Sequence, residues 1–159
     1  TRSVSSIAAK NIGKFAIGSI VFFLVGYNLA YDIPDGGFIG SFSIWTDTSN
    51  IETGYSGYSD WFYQTMFVCA TVSIVSGAVA ERIKIWPFFF FAAVMAGFIY
   101  PISMGWQWGG GWLSVAGFSD FAGSTLVHAC GGAAALAGII VLGAREGRFS
   151  AKGEKQSMI

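Results

Sequence analysis

Apolar residues gather into four long runs, over residues 13–31, 61–81, 84–104 and 121–144, separated by segments rich in Gly, Ser, Asp and aromatic side chains. Each run is close to the ~20 residues that a helix rising ~1.5 Å per residue needs to cross ~30 Å of hydrocarbon. The pattern therefore predicts an all-α fold, a polytopic membrane helix bundle with about four transmembrane helices. No fixed repeat or low-complexity linker interrupts it, so residues 1–159 read as one membrane unit.

Charge placement supports this reading independently, because cytoplasmic loops attract Lys and Arg while translocated loops do not. Arg2, Lys10 and Lys14 cluster before or at the start of the first run. The loop after it carries Asp32, Asp35, Asp47, Glu52 and Asp60 without a basic residue and is expected outside. Glu81-Arg82-Ile83-Lys84 is expected inside, Gly105 to Asp120 outside, and Arg145, Arg148, Lys152 and Lys155 inside. The alternation places both ends of the chain in the cytoplasm. A net charge of zero hides this segregation. Without a basic arm or patch, a nucleic-acid partner is set aside.

Composition narrows the chemistry further, since 53% hydrophobic against 11% charged residues belongs to a membrane protein. The two cysteines, Cys69 and Cys130, fall inside separate runs and read as buried free thiols. One His and two separated Cys offer no metal-ligand spacing, so neither metal nor cofactor is expected. A serine-type intramembrane hydrolase lacks both a nucleophile motif and an orienting carboxylate, and the chain does not read as an enzyme.

The one histidine, His128, lies in a Gly- and Ala-rich run, where an ionisable group is costly and hence a functional candidate. Small residues around it suit a central helix enclosed by others. Helical spacing places Ser124, His128, Gly132 and Ala135 on one stripe. Asp120 precedes this run, positioned to cap a helix start or, as an outward anion, to favour a cation near a pore mouth. The first residue is Thr1 rather than Met, and a polar group such as His128 needs a neighbour, so further helices are expected beyond both ends.

Three segments carry a specific resemblance: Ser76-Gly77-Ala78-Val79-Ala80-Glu81-Arg82, Trp108-Gly109-Gly110-Gly111-Trp112, and Asp120-Phe121-Ala122-Gly123-Ser124-Thr125-Leu126-Val127-His128. In order and mutual spacing they resemble the ammonium transporter family (Amt/Mep/Rh). Val25-Gly26-Tyr27-Asn28 and Phe38-Ile39-Gly40 extend the match over essentially the whole chain. The resemblance implies a fragment corresponding to spans two to five of an eleven-helix subunit, in a homotrimer whose subunits each hold a pore.

By the same resemblance, His128 matches the first of two facing pore histidines, and Trp108 the vestibule tryptophan that holds a small cation. Phe67 matches an outer gate phenylalanine, Tyr63 the neighbouring vestibule aromatic, and Asp120 a carboxylate that supports the vestibule and contributes to deprotonation. The implied activity is transport of ammonium or ammonia across the cell membrane, with recruitment, deprotonation and ammonia conduction past His128. Family members are often controlled by a cytoplasmic nitrogen-regulatory protein. Read on residues alone, Trp108, Trp106 and Trp112 are also ordinary interface anchors and Phe67 ordinary core. With no second histidine in the chain, these residues alone are not expected to transport. The alternatives are an ammonium sensor with a transporter-like fold, and a non-transporting structural fragment.

Overall fold

The structure, a computed structural model, describes residues 4–46, 54–145, 147–149 and 153. Asp47, Glu52, Arg2, Lys152 and Lys155, used above to assign sidedness, lie outside the described residues.

Among the described residues four helices are long and apolar enough to cross a membrane: α1 (Val4–Tyr31), α2 (Gly57–Ala78), α3 (Ile85–Gly105) and, after the short α4 (Trp112–Val115), α5 (Ser124–Leu142). Helix α1 starts well upstream of residue 13, so Lys10 and Lys14 lie on it and not before it. Lys10 is buried and donates from Nζ to the Ile83 carbonyl at 2.9 Å, with its charge 5.6 Å from the Phe88 ring centroid. A lysine inside an apolar run is thus satisfied by a helix-connection carbonyl and an aromatic face.

Helix α2 sits centrally, packed on α1 along one side and α5 along another, while α1 also packs on α3. Two apolar clusters hold the four together. One gathers Phe22, Val68, Ala96, Tyr100, Met104 and Val127; the other gathers Val72, Val75, Val79, Phe88, Met95 and Ala135. Each cluster draws on three or more helices, so neither survives the loss of one helix face.

Helices α1, α3 and α5 each contain one π-helical turn: Phe22–Gly26, Met95–Ile99 and Ser124–Ala129. Such turns insert a residue into the helix and commonly mark functional segments. The stripe expected from plain helical spacing divides by burial. Ser124, His128 and Gly132 stay exposed, but Ala135 is buried in the second cluster. Residues 130–142 are regular α-helix, so Ala135 lies at the edge of that stripe, where it meets the face packed on α2.

The loops expected outside meet at one end of the bundle. Trp106 Nε1 donates to the Phe38 carbonyl at 2.8 Å, Gly36 N to Gly110 O at 3.2 Å, and Trp112 N to Gly37 O at 3.1 Å. At the other end Arg82 donates to the Gly143 and Ala78 carbonyls, and Arg145 pairs with Glu81 at 3.7 Å. The acidic and basic segments therefore occupy opposite ends, as the charge alternation requires. Both cysteines are free thiols; Cys69 is buried, whereas Cys130 is half-buried and not fully enclosed as expected.

Candidate functional site

The glycines of Trp108-Gly109-Gly110-Gly111-Trp112 have a steric cause. A Cβ on Gly109 would collide with the Ala30 carbonyl at the end of α1, so only glycine lets this turn lie against α1. Gly111 N donates to Gly105 O at 3.0 Å, closing the turn back on α3. The turn is thereby pinned to the ends of two helices, and Trp108 is fixed above the bundle.

Trp108 in turn is tied to the start of α5. Its indole Nε1 donates to the Asp120 carbonyl oxygen at 2.7 Å. The Asp120 side chain, 5% exposed, accepts four backbone N–H groups: Gly123 and Ser124 on Oδ1 at 2.8 and 3.1 Å, Thr125 and Leu126 on Oδ2 at 2.8 and 2.9 Å. These are the groups a helix start leaves without intrahelical partners. The cap works from further upstream than a simple N-cap because Gly123, at φ 85°, turns the chain before the helix begins. Burial pushes the Asp120 carboxyl up, but the backbone bonds from Leu126, Thr125, Gly123 and Ser124 outweigh it and hold the carboxyl below its ordinary range.

Phe67, on α2, packs edge-on against Trp108 with ring centroids 5.3 Å apart, and Tyr63, one turn earlier, packs edge-on against Phe67 at 5.1 Å. These three rings line an open cleft of about 360 Å³ together with Tyr31, Tyr55, Asp60, Gln64 and Phe121. Among its lining residues Asp60 is the one charged group, and no basic residue borders it. Asp60 Oδ2 accepts the Tyr27 hydroxyl at 2.6 Å. Gln64 is 8% exposed, and its Oε1 has no protein partner.

Of the five residues singled out in the sequence, Tyr63, Phe67 and Trp108 thus share one cleft. Asp120 stands behind Trp108 and does not line it. His128 does not line it either: it follows on α5 as an exposed side chain whose Nδ1 lies 3.1 Å from Gly123 O. A carbonyl only accepts, so this contact assigns the ring proton to Nδ1 and leaves Nε2 as an acceptor in the neutral imidazole. Gly123 O also receives Val127 N at 2.9 Å and His128 N at 3.0 Å. Among the described residues no group of His, Cys, Asp and Glu is arranged to hold a metal ion.

Sequence reasoning missed Tyr31, Tyr55, Asp60, Gln64 and Phe121. Gln64 carried a signal, being an amide within an apolar run, three residues before Phe67. Asp60 was read only as part of an acidic loop, yet it lies in the first turn of α2.

The model of the Ammonium Transporter Family matches residues 1–159. Ammonium transporter Amt1 of Haloferax mediterranei is 40% identical over 165 residues, covering 98% of this chain and 32% of that protein. Ammonium transporter Amt2 of Archaeoglobus fulgidus is 36% identical over 172 residues, covering 99% of this chain and 35% of its own length. A solved structure described as a Sensor Amt Protein superposes with a TM-score of 0.84 at 34% identity, covering 95% of this chain and 39% of that one. The chain spans about a third of the length of the curated relatives it matches. The order of the three motifs, the helix bundle they form and the match along the whole chain together place this chain in the ammonium transporter family.

Proposed function

We propose that this chain supplies the outer vestibule and one wall of a pore that conducts ammonium or ammonia through a cell membrane. The observation that carries the reading is the ring set Tyr63, Phe67 and Trp108, gathered along one open cleft and tied through Asp120 to the helix that bears His128. Ammonium enters the cleft, where the π-faces of Trp108 and its neighbours attract a small cation. Past Phe67 the surroundings become apolar and the bare ion becomes costly, so the ion gives its proton to water in the open cleft before it passes the ring. Neutral ammonia then passes His128, whose Nε2 is free to accept one of its N–H groups.

Asp120 acts here as a positioning group: both oxygens are engaged by backbone N–H, and its carbonyl carries Trp108. Complete subunits associate as homotrimers, each with its own pore, in the plasma or inner membrane, with the basic ends of this chain in the cytoplasm. A cytoplasmic nitrogen-regulatory protein controls the pore from that side. The spans 13–31, 61–81, 84–104 and 121–144 are its membrane-crossing parts.

Uptake of labelled methylammonium by cells lacking their own ammonium uptake, expressing the full-length protein, tests the reading. The wild type restores saturable uptake and His128→Ala alters either the flux or the accompanying current. Unchanged flux and current in His128→Ala contradict the role given to the imidazole.

The likeness to the structure described as a Sensor Amt Protein favours a second reading, in which the same cleft reports ammonium occupancy to a signalling module. A kinase or cyclase domain in the full-length protein and ammonium binding without flux distinguish it.

A further inference from the structure

At the end of the bundle opposite the aromatic cleft, a cavity of about 830 Å³ is lined by Arg82, Arg145 and Arg148 together with Ile139, Ala144 and Phe149. Three guanidiniums border one space, and no carboxylate is among its lining residues. Glu81 offsets one of the charges by pairing with Arg145 at 3.7 Å. In sequence the surrounding chain stays basic, with Lys84 on one side and Lys152 and Lys155 on the other, against Glu146 and Glu154.

Arg82 is built into this place. Glu81 stands at φ 64°, a left-handed conformation that is costly for a residue with a Cβ, in the turn that leads to Arg82. The Arg82 guanidinium donates to the Ala78 carbonyl at the end of α2 and to the Gly143 carbonyl just past α5. A guanidinium has five N–H donors, so Arg82 keeps donors beyond these two bonds while its position is fixed. Beside it, Arg148 N donates to Arg145 O at 3.1 Å, which keeps the other two arginines on one short turn.

The cavity is also half apolar. Ile139, in the last turn of α5, lines it, and the next two residues, Ile140 and Val141, are 73% and 83% exposed. The arginines therefore stand where a membrane-crossing helix ends, at the depth of lipid headgroups. Guanidinium forks match phosphate oxygens, and a soluble phosphate has no use for Ile139 and Phe149.

We propose that Arg82, Arg145 and Arg148 form a binding site for the phosphate of an anionic lipid, whose glycerol and first methylenes lie along Ile139 and Phe149. Anionic lipids are concentrated in the cytoplasmic leaflet, and basic pockets beside membrane helices on that side suit their headgroups. The site uses the sidedness given by the basic ends of the chain and is independent of the transport reading. Because Arg82 ties the ends of α2 and α5, a lipid held there braces the helix that bears His128 from its far end.

The test titrates the full-length protein, purified in a neutral detergent, with dioleoyl phosphatidylglycerol or dioleoyl phosphatidylcholine, reading melting temperature and lipid bound per subunit. The anionic lipid raises the melting temperature, the zwitterionic one does not, and the difference shrinks as salt is added. Arg145→Gln combined with Arg148→Gln lowers the apparent affinity for phosphatidylglycerol about five- to thirtyfold. Arg148→Gln alone lowers it about two- to fivefold, which decides the matter should the double variant fail to fold. Lys84→Gln, at the same end but outside the cavity, stays within about twofold of the wild type. Arg82 is left unchanged because its carbonyl bonds hold two helix ends.

Equal responses to the two lipids overturn the site. So does a Lys84→Gln variant as impaired as Arg148→Gln, which assigns the binding to diffuse charge. Inorganic phosphate that reproduces the rise in melting temperature, with no further response to phosphatidylglycerol, assigns the arginines to a soluble anion and overturns the lipid assignment.

Discussion

Trp108 and Asp120 are joined twice over: the indole Nε1 donates to the Asp120 carbonyl at 2.7 Å, and the Asp120 carboxylate holds the start of the helix against which that indole lies. Vestibule and pore helix are thereby built as one unit. Asp120→Ala leaves four backbone N–H groups without their acceptor and costs at least about 2 kcal/mol of stability. Thermal unfolding of the full-length protein in detergent measures the loss, and Asp120→Asn, which keeps one acceptor oxygen, falls between the two.

The same carboxylate sets a pH dependence. Its folded-state pKa lies below the ordinary ~3.9 of an aspartate, so its stabilisation is complete above that value and is lost as pH falls through the lower folded value. Melting temperature at neutral pH is therefore insensitive to this group. Below about pH 4 the wild type loses stability faster than Asp120→Asn, which has no proton to gain there. Parallel acid limbs for the two proteins contradict this.

Trp108 contributes both a cation-binding face and a hydrogen bond to the Asp120 carbonyl. Trp108→Leu removes both and raises the half-saturating ammonium concentration between about twofold and thirtyfold, the range a cation–π contact spans. Uptake kinetics in the full-length protein read the change directly.

Gly123 stands at φ 85°, and a Cβ there would lie 2.5 Å from Val127 Cγ2 and 3.3 Å from the edge of the Trp108 ring. Gly123→Ala therefore meets backbone strain and a clash together, and destabilises by about 1–3 kcal/mol. Because the displaced groups are the Trp108 ring and the residue before His128, ammonium uptake falls along with melting temperature.

What the sequence made legible follows from how local each signal is. Apolar runs mark helices because each run is long enough to cross hydrocarbon by itself, and the opposed acidic and basic ends follow from charge alone. The cap at Asp120 was legible as a type but not in its reach, since a left-handed Gly123 between cap and helix leaves only a glycine in the sequence. The burial of Ala135 was not legible, because it comes from packing of the stripe's edge on α2, which helical spacing does not carry. The cleft was legible in Tyr63, Phe67 and Trp108 only through their motif spacing. Tyr31, Tyr55 and Phe121 reach it from three different segments, and such convergence leaves no periodic trace in a chain.

The account's central claim is that ammonium captured over Phe67 and Trp108 is passed onward along the helix of His128. Full-length protein reconstituted into sealed liposomes and given an ammonium pulse tests this most directly. The account predicts a saturable, ammonium-dependent flux that is right-shifted by Trp108→Leu and altered in rate or accompanying current by His128→Ala. A folded, membrane-inserted protein that binds ammonium but shows no flux above that of protein-free liposomes contradicts it.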